Sequence, residues 1–249
     1  MMGTPRYTCI ALIPARCGSV RVKDKNIRLL CGHPLLAYSI ASAKDSEIFK
    51  DVLVSTDSKT YASIAERYGA SVPFLRAPEF AQEHSTDIEW VSYTLRQLRD
   101  KGSEYDCFAI LRPTSPFRSK DTIRRAWNMF LEAGDIDSLR AVEPCRQHPG
   151  KMWVIRRNLL IPLLPYENEG IPWHNSPYQS LPKVYIQNAS LEIAWSRVAL
   201  EDNSISGVKV VPFLTKGYEG FDINEPIDFD FAEYLVQRGE ALLPNCQTL

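Results

Sequence analysis

The stretch Cys9-Ile10-Ala11-Leu12-Ile13-Pro14-Ala15-Arg16-Cys17-Gly18-Ser19-Val20-Arg21-Val22-Lys23-Asp24-Lys25-Asn26 decides how the rest of the chain reads. Its apolar first part is short enough for one buried strand, and it runs into a loop carrying a glycine, a serine and four cations. Such a loop gathers backbone N–H groups and positive charge at one point, which is what a polyphosphate needs. Neither the G-x-x-x-x-G-K-[ST] spacing nor G-x-G-x-x-G is present, so neither phosphate-loop fingerprint applies. A solvated basic turn is the plain alternative.

Working outward, short apolar runs alternate with amphipathic segments. Pro34 opens a helix through about Ser46, Asp51–Ser55 is a β-rich run, and Thr56-Asp57-Ser58 supplies the N-cap of a helix from Lys59 to Tyr68 that stops at Gly69. Ser71–Leu75 reads as another short strand. Thr86-Asp87-Ile88-Glu89 fits a capping box, with Trp90, Val91, Leu95 and Leu98 at helical spacing behind it. Cys107–Leu111 is a strand ending in Arg112-Pro113-Thr114-Ser115-Pro116-Phe117-Arg118, where two prolines forbid regular structure and leave polar groups beyond a carboxyl end. Ser119 or Asp121 then caps a helix to Ala133, and Ser138–Val142 is a fifth strand candidate.

This alternation predicts an α/β fold: a doubly wound, mostly parallel sheet with helices on both faces. Ligands of such sheets collect outside the carboxyl ends of the strands, where the opening loop and the Arg112–Arg118 loop both emerge. From Pro144 to Lys183 six further prolines break the pattern, while Trp153, Trp173 and several tyrosines argue against a flexible linker. The expected organisation is a core of residues 1–143 and 184–249, with 144–183 as an extended arm or small dimerisation subdomain. The pattern returns with Ala189–Trp195, Val208–Phe213 and a last helix starting near Pro226.

With 249 residues, 45% hydrophobic content and a formal net charge of -1, the chain can build a large core but has no global field for nucleic acid or an anionic membrane. No apolar run approaches the ~18 residues of a membrane helix, and Met1 to Arg6 lacks a signal-peptide core. A cytoplasmic protein is expected. The six cysteines show no C-x-x-C and read as free thiols. Cys17 sits among cations that favour its thiolate, but none of the four histidines falls in a pattern that names a partner or a zinc site.

Near the C-terminus, Gly220-Phe221-Asp222-Ile223-Asn224-Glu225-Pro226-Ile227-Asp228 places acids at the start of the last helix. Capping accounts for Glu225 and Asp228 and less well for Asp222, which precedes the cap. A carboxylate opposite a cationic phosphate loop is what Mg²⁺ requires.

Five segments stand in the order of one family: Ile13-Pro14-Ala15-Arg16 with Gly18-Ser19 and Lys25-Asn26, Val54-Ser55-Thr56-Asp57, Leu75-Arg76-Ala77-Pro78-Glu79, Leu111–Arg118 and Phe221–Pro226. In them the chain resembles the acylneuraminate cytidylyltransferase (CMP-sialic acid synthetase) family over nearly its whole length. The resemblance implies a Rossmann-like nucleotidyltransferase that moves CMP from CTP to the anomeric hydroxyl of an acidic 2-keto-3-deoxy sugar. It also implies release of pyrophosphate, a need for Mg²⁺, and a homodimer whose subunits exchange arms. Carried over by position, Ala15, Arg16, Gly18, Ser19, Arg21, Lys25 and Asn26 hold the triphosphate, and Arg76 lies at the cytosine. Asp222 and Asn224 would hold the metal, and Arg16, Lys25 and Asp222 would carry catalysis. Arg112, Thr114, Ser115, Lys151, Asn188 and Glu192 fall on the sugar side.

Three departures stand out. The family's Asp-x-Asp is here Asp222-Ile223-Asn224, its Leu-Gln-Pro-Thr-Ser-Pro has Arg112 for the Gln, and its Asn-Gly-Ala-Ile-Tyr-Ile is Asn188-Ala189-Ser190-Leu191-Glu192-Ile193. An Asn oxygen ligates Mg²⁺ without adding charge, so Asp228 is an alternative helper. Glu192 either binds a sugar hydroxyl or amine or pairs with a neighbouring cation. Activation of Kdo or another acidic sugar is a close alternative; a non-catalytic nucleotide-binding relative is a more distant one, motivated by Asn224.

Overall fold

The computed structural model describes residues 7–249. Met1 to Arg6, read above as lacking a signal-peptide core, lie outside the described residues. Strand β1 (Cys9–Pro14) is the middle of a parallel trio. β2 (Asp51–Ser55) pairs with it from Ile10 opposite Asp51 to Pro14 opposite Ser55, and β3 (Cys107–Ile110) from Cys9 opposite Cys107 to Leu12 opposite Ile110. A parallel strand flanked on both sides is covered on both faces, which is why Cys9–Ile13 is continuously apolar rather than alternating.

Three further strands, β4 (Ser138–Pro144), β5 (Tyr185–Trp195) and β6 (Val210–Leu214), extend the sheet in the order β6-β4-β5-β3-β1-β2. β5 runs antiparallel to β3, with Glu192 opposite Ile110, so the expectation of parallel strands fails at this position. The expected strand at Ser71–Leu75 is also absent. Ser71 makes one bridge to Leu53, and Pro73, which has no N–H, follows at once.

The pleat divides β1 between two cores. Cys9, Ala11 and Ile13 pack with α1 (Leu35–Ser46), α2 (Lys59–Arg67) and α4 (Lys120–Glu132) through Leu36, Ala65 and Phe130. Ile10 and Leu12 pack on the other face with α3 (Asp87–Asp100) and α5 (Ser196–Leu200), through Trp90, Leu95 and Ala199. A third cluster joins α1 to α6 (Pro226–Gln237) through Leu35, Tyr38, Phe229 and Leu235. Each fully buried Leu or Ile contributes about 1.5–3 kcal/mol. The α/β sandwich therefore holds the carboxyl ends of β1, β2 and β3 in a fixed relation.

The chain clusters into two compact units, one comprising the chain up to Ala141 with Asn188–Leu249, the other Val142–Gln187. The second is built of two antiparallel hairpins, Trp153–Arg156 with Leu159–Pro162 and Glu167–Asn168 with Ile171–Pro172. Their two-residue turns, Arg157-Asn158 and Glu169-Gly170, have positive φ throughout, the geometry that matches strand twist. His148 braces this unit, its Nδ1 accepting from Gly150 N at 2.9 Å and its Nε2 donating to the Pro182 carbonyl at 3.0 Å.

Candidate active site

The loop after β1 is anchored at every turn. Ala15 N donates to the Ser55 carbonyl at 2.9 Å, extending the β1–β2 pairing by one residue. Buried Asn26 closes the loop by donating from Nδ2 to the Arg16 carbonyl at 3.3 Å. Gly18 has φ 79°, a left-handed conformation that favours glycine although nothing crowds its missing Cβ. Cys17 N donates to Asp57 Oδ1 at 2.7 Å, and Tyr61 Oη donates to Asp24 Oδ1 at 3.1 Å, tying both halves of the loop to the start of α2. Its cations thus project from a fixed frame.

A cleft of about 470 Å³ opens beside this loop. Arg16, Ser19, Arg21, Lys25 and Asn26 line one part of it, Arg112 and Thr114 from the β3–α4 loop another, and Arg76, Asp87 and Trp90 a third. Lys25 donates to the Ile223 carbonyl at 2.9 Å. Burial holds its ammonium below the usual lysine range, with Arg21 adding to the shift and Asp222, Asp228 and Glu225 opposing it. Arg76 is almost wholly buried, donates to Ser55 Oγ at 3.0 Å and the Ser55 carbonyl at 2.9 Å, and lies over the Trp90 ring at 4.6 Å. Burial pulls it down to about 10, so it stays protonated at neutral pH.

Arg112 is held by two carboxylates. Its Nη1 and Nη2 reach Asp87 Oδ1 and Oδ2 at 3.3 and 2.7 Å, and Nη2 also reaches Glu192 Oε1 at 2.9 Å. Arg140 takes the other Glu192 oxygen at 2.7 Å. Burial opposes the charge on both Asp87 and Arg112. The pairing prevails, holding the Asp87 carboxyl below its ordinary value and raising Arg112 above its own. Behind them Arg118, fully buried, donates to the carbonyls of Arg112 and Ser190 and to Ser39 Oγ. No carboxylate among the described residues pairs with it. It fixes the backbone of the loop that presents Arg112 and Thr114.

The acidic segment lies one contact behind the cleft wall. Ile223 N donates to the Thr114 carbonyl at 2.8 Å, and Lys25 holds the Ile223 carbonyl, so both neighbours of the segment are cleft residues. Asp222 accepts the Asn224 amide on Oδ2 at 2.6 Å, and its Oδ1 is buried without a partner. Asp228 accepts the backbone N–H groups of Asn224 and Glu225 on one oxygen, capping α6. Among the described residues no three His, Cys, Asp or Glu side chains gather as a metal cage.

The sequence-derived residues therefore divide. Arg16, Ser19, Arg21, Lys25, Asn26, Arg76, Arg112 and Thr114 share one cleft. Ala15 and Gly18 shape its loop, and Ser115 is buried behind it with an unpartnered hydroxyl. Asn188 donates to Thr215 Oγ1 at 2.9 Å and accepts from Ser190 N at 3.2 Å. Lys151 belongs to the second unit, where it donates to the carbonyls of His174 and Ser176 at 3.2 and 2.6 Å. Of the two readings of Glu192, pairing with neighbouring cations is the one seen. Asp87, Trp90 and Arg118 were missed. Asp87 was hidden by its place in the helix-capping pattern, and the only sequence hint for Arg118 was its position at the end of the two-proline loop.

A family model described as "Cytidylyltransferase" matches residues 10–150. The "CMP-N,N'-diacetyllegionaminic acid synthase" of Legionella pneumophila is 35% identical over 94% of this chain and 98% of its own length. The "N-acylneuraminate cytidylyltransferase" of Escherichia coli is 42% identical over 50% of this chain and 29% of its own. Among solved structures, a CMP:2-keto-3-deoxy-manno-octonic acid synthetase complexed with CTP superposes with a TM-score of 0.66 at 12% identity, covering 93% of this chain and 99% of that one. At that identity the likeness speaks for the fold.

Proposed function

The chain belongs to the cytidylyltransferase family, and from that premise we propose that it transfers CMP from CTP to the anomeric hydroxyl of a 2-keto-3-deoxy sugar acid of the nonulosonic type. The observation that carries this reading is the convergence of Arg16, Arg21, Lys25 and Arg76 on one cleft with the Arg112–Thr114 loop at its side. In a chain of net charge -1, four cations held in one concavity are a local anion site.

The chemistry is a displacement at the α-phosphorus. The anomeric oxygen forms a bond to the α-phosphorus, the bond from that phosphorus to the β-phosphate oxygen breaks, pyrophosphate leaves, and the hydroxyl proton passes to solvent. In this reading Arg16, Ser19, Arg21, Lys25 and Asn26 hold the triphosphate, and Arg16 and Lys25 offset charge developing on the α-phosphate and the leaving group. Arg76, rigid against Trp90, stands at the cytosine. Arg112 and Thr114 stand at the sugar, with Ser115 buried behind them.

The residues fit a magnesium ion. Asp222 Oδ1 is a buried acceptor without a donor, and Mg²⁺ takes one or two carboxylates with phosphate oxygens and waters. Asp222 would hold it, with the neutral Asn224 oxygen beside it. When bound, Mg²⁺ neutralises phosphate charge. Asp228 is engaged in capping α6 and is not assigned to the metal.

The homodimer reading is supported by the second unit, whose hairpin leaves Ile155, Leu159 and Leu160 at 73%, 68% and 62% exposure, more apolar surface on one element than solvent favours. A cytoplasmic setting accords with cysteines that are all free. No described helix is long and apolar enough to cross a membrane.

The test is pyrophosphate release from CTP and Mg²⁺ with a panel of nonulosonic and related sugar acids. Release that depends on one of these acids supports the reading. CTP binding without turnover on any acid removes it in favour of a nucleotide-binding protein.

A further inference from the structure

Glu192 is the buried member of the charge group beside the cleft: its side chain is 9% exposed, against 26% for Arg112 and 20% for Arg140. It does not line the cleft, whereas Arg112 and Asp87 do. A ligand in the cleft therefore meets the guanidinium that Glu192 holds. Three of the five N–H groups of Arg112 are engaged, two with Asp87 and one with Glu192. The three residues come from three parts of the fold: Asp87 from the first turn of α3, Arg112 from the loop just after β3, and Glu192 from β5. Asp87 is held in turn by the Trp90 indole at 2.9 Å, and Glu192 by Arg140 at 2.7 Å. A long arginine side chain on a proline-containing loop is thereby locked in one place.

We propose that Asp87 and Glu192 are positioning residues that clamp Arg112, and that the clamped guanidinium selects an acceptor sugar presenting an uncharged oxygen at that point, an acylamide carbonyl or a hydroxyl. This rests on the function proposed above, in which Arg112 stands at the sugar. A guanidinium has donors only, so a free ammonium facing it finds no acceptor on Arg112 and meets like charge, while the Asp87 oxygens beside it are already engaged by Arg112 and Trp90. A second carboxylate there would crowd the oxygens of Asp87 and Glu192, which already share the same guanidinium. An amide carbonyl or hydroxyl accepts the remaining N–H groups without either cost. Glutamine at position 112 would both donate and accept and would discriminate less.

The experiment compares one 2-keto-3-deoxy sugar acid in two forms, with its amino group acetylated or free. The wild-type chain prefers the acetylated form in kcat/KM by about tenfold or more, the equivalent of one charge-assisted hydrogen bond. Arg112→Gln narrows that preference to within about threefold while KM for CTP stays within about twofold. Glu192→Gln raises KM for the acetylated acceptor about tenfold with little change in KM for CTP. Because it leaves Arg112 and Arg140 facing each other, the double variant Glu192→Gln/Arg140→Gln, which removes one charge of each sign, is measured beside it and shows the same acceptor effect. A merely structural role would lower kcat on both acceptors alike and leave their ratio untouched. Equal use of both acceptors by the wild type, an unchanged ratio in Arg112→Gln, or an equal rise in KM for CTP overturns the inference while leaving CMP transfer standing. Absence of turnover with either form or any other sugar acid removes the transferase reading and this inference with it.

Discussion

Replacing Lys25 by methionine removes the cation that couples the loop after β1 to the acidic segment. In the folded chain its ammonium is about half withdrawn from solvent, donates to the Ile223 carbonyl at 2.9 Å, and lies within the field of Asp222, Asp228 and Glu225. Losing that hydrogen bond costs about 1.5–3 kcal/mol. Relief of the desolvation that lowers its pKa returns part of this, so the thermal midpoint moves by only a few degrees. The effect on transfer is larger. A fixed donor at developing oxyanion charge contributes about 3–4 kcal/mol, so turnover falls by roughly 10²–10³. The assay is pyrophosphate release at saturating CTP, with CTP affinity followed separately by calorimetry. The pH profile adds an independent sign. Because burial lowers the pKa of Lys25 in the free protein, its protonated form is lost at a pH below the ordinary lysine value, and the alkaline limb of kcat/KM for CTP lies correspondingly low. Lys25→Arg keeps the charge and moves that limb upward. Turnover of Lys25→Met within threefold of wild type, or an alkaline limb that ignores Lys25→Arg, would refute the role.

Further outcomes follow from other contacts. Asp222→Asn abolishes turnover with an unchanged circular dichroism spectrum, while Asn224→Asp adds a second carboxylate and tightens Mn²⁺ binding to the free protein by about tenfold, read by electron paramagnetic resonance; a fully active Asp222→Asn variant would remove Asp222 as the metal ligand. Asp137 accepts from the backbone N–H groups of Lys209 and Val208 and from Arg197, which hold its carboxyl down at about 2, so the stability it contributes is full above the unfolded value near 3.8 and is lost as pH falls through about 2. Asp137→Asn is therefore less stable than wild type at pH 7 in urea titrations, with the difference narrowing toward pH 2; a constant difference across that range would contradict the assignment. In the proposed homodimer, Leu160→Glu, on the exposed hairpin of the second unit, shifts sedimentation from dimer to monomer while leaving the melting of the α/β unit in place; an unchanged dimer would exclude that hairpin from the interface, and a wild-type monomer would exclude the dimer itself.

The parts of the fold that were legible in the sequence are those governed by neighbours in the chain. Ser58 and Ser119 cap their helices as their spacing suggests, and the unbroken apolar run of β1 declares a strand buried on both faces. The expected strand at Ser71–Leu75 failed because β-propensity cannot overcome a proline that lacks a ladder donor; only Ser71 bridges. The antiparallel course of β5 depends on how the chain returns from Val142–Gln187, a non-local matter that no spacing encodes.

The site shows the same division. Its cationic loop was visible because Arg16 to Asn26 are contiguous. The clamp on Arg112 was not, because its carboxylates stand 25 and 80 residues away, and Asp87 carries a local pattern that a helix start explains without remainder. Asp137 gave no signal for a similar reason. Its backbone donors, Val208 and Lys209, lie just beyond Gly207, whose absent Cβ would fall 2.5 Å from the Asp137 Cβ, and that close approach exists only once the chain has folded.

Oxygen tracing tests CMP transfer most directly. With CTP, Mg²⁺ and an acceptor sugar acid carrying ¹⁸O at its anomeric hydroxyl, attack by that oxygen on the α-phosphorus leaves the label in the bridge of a CMP-sugar, detected by the ³¹P isotope shift, and gives unlabelled pyrophosphate. Label appearing in pyrophosphate, a CMP-sugar without label in its bridge, or pyrophosphate released with no CMP-sugar formed, would contradict it.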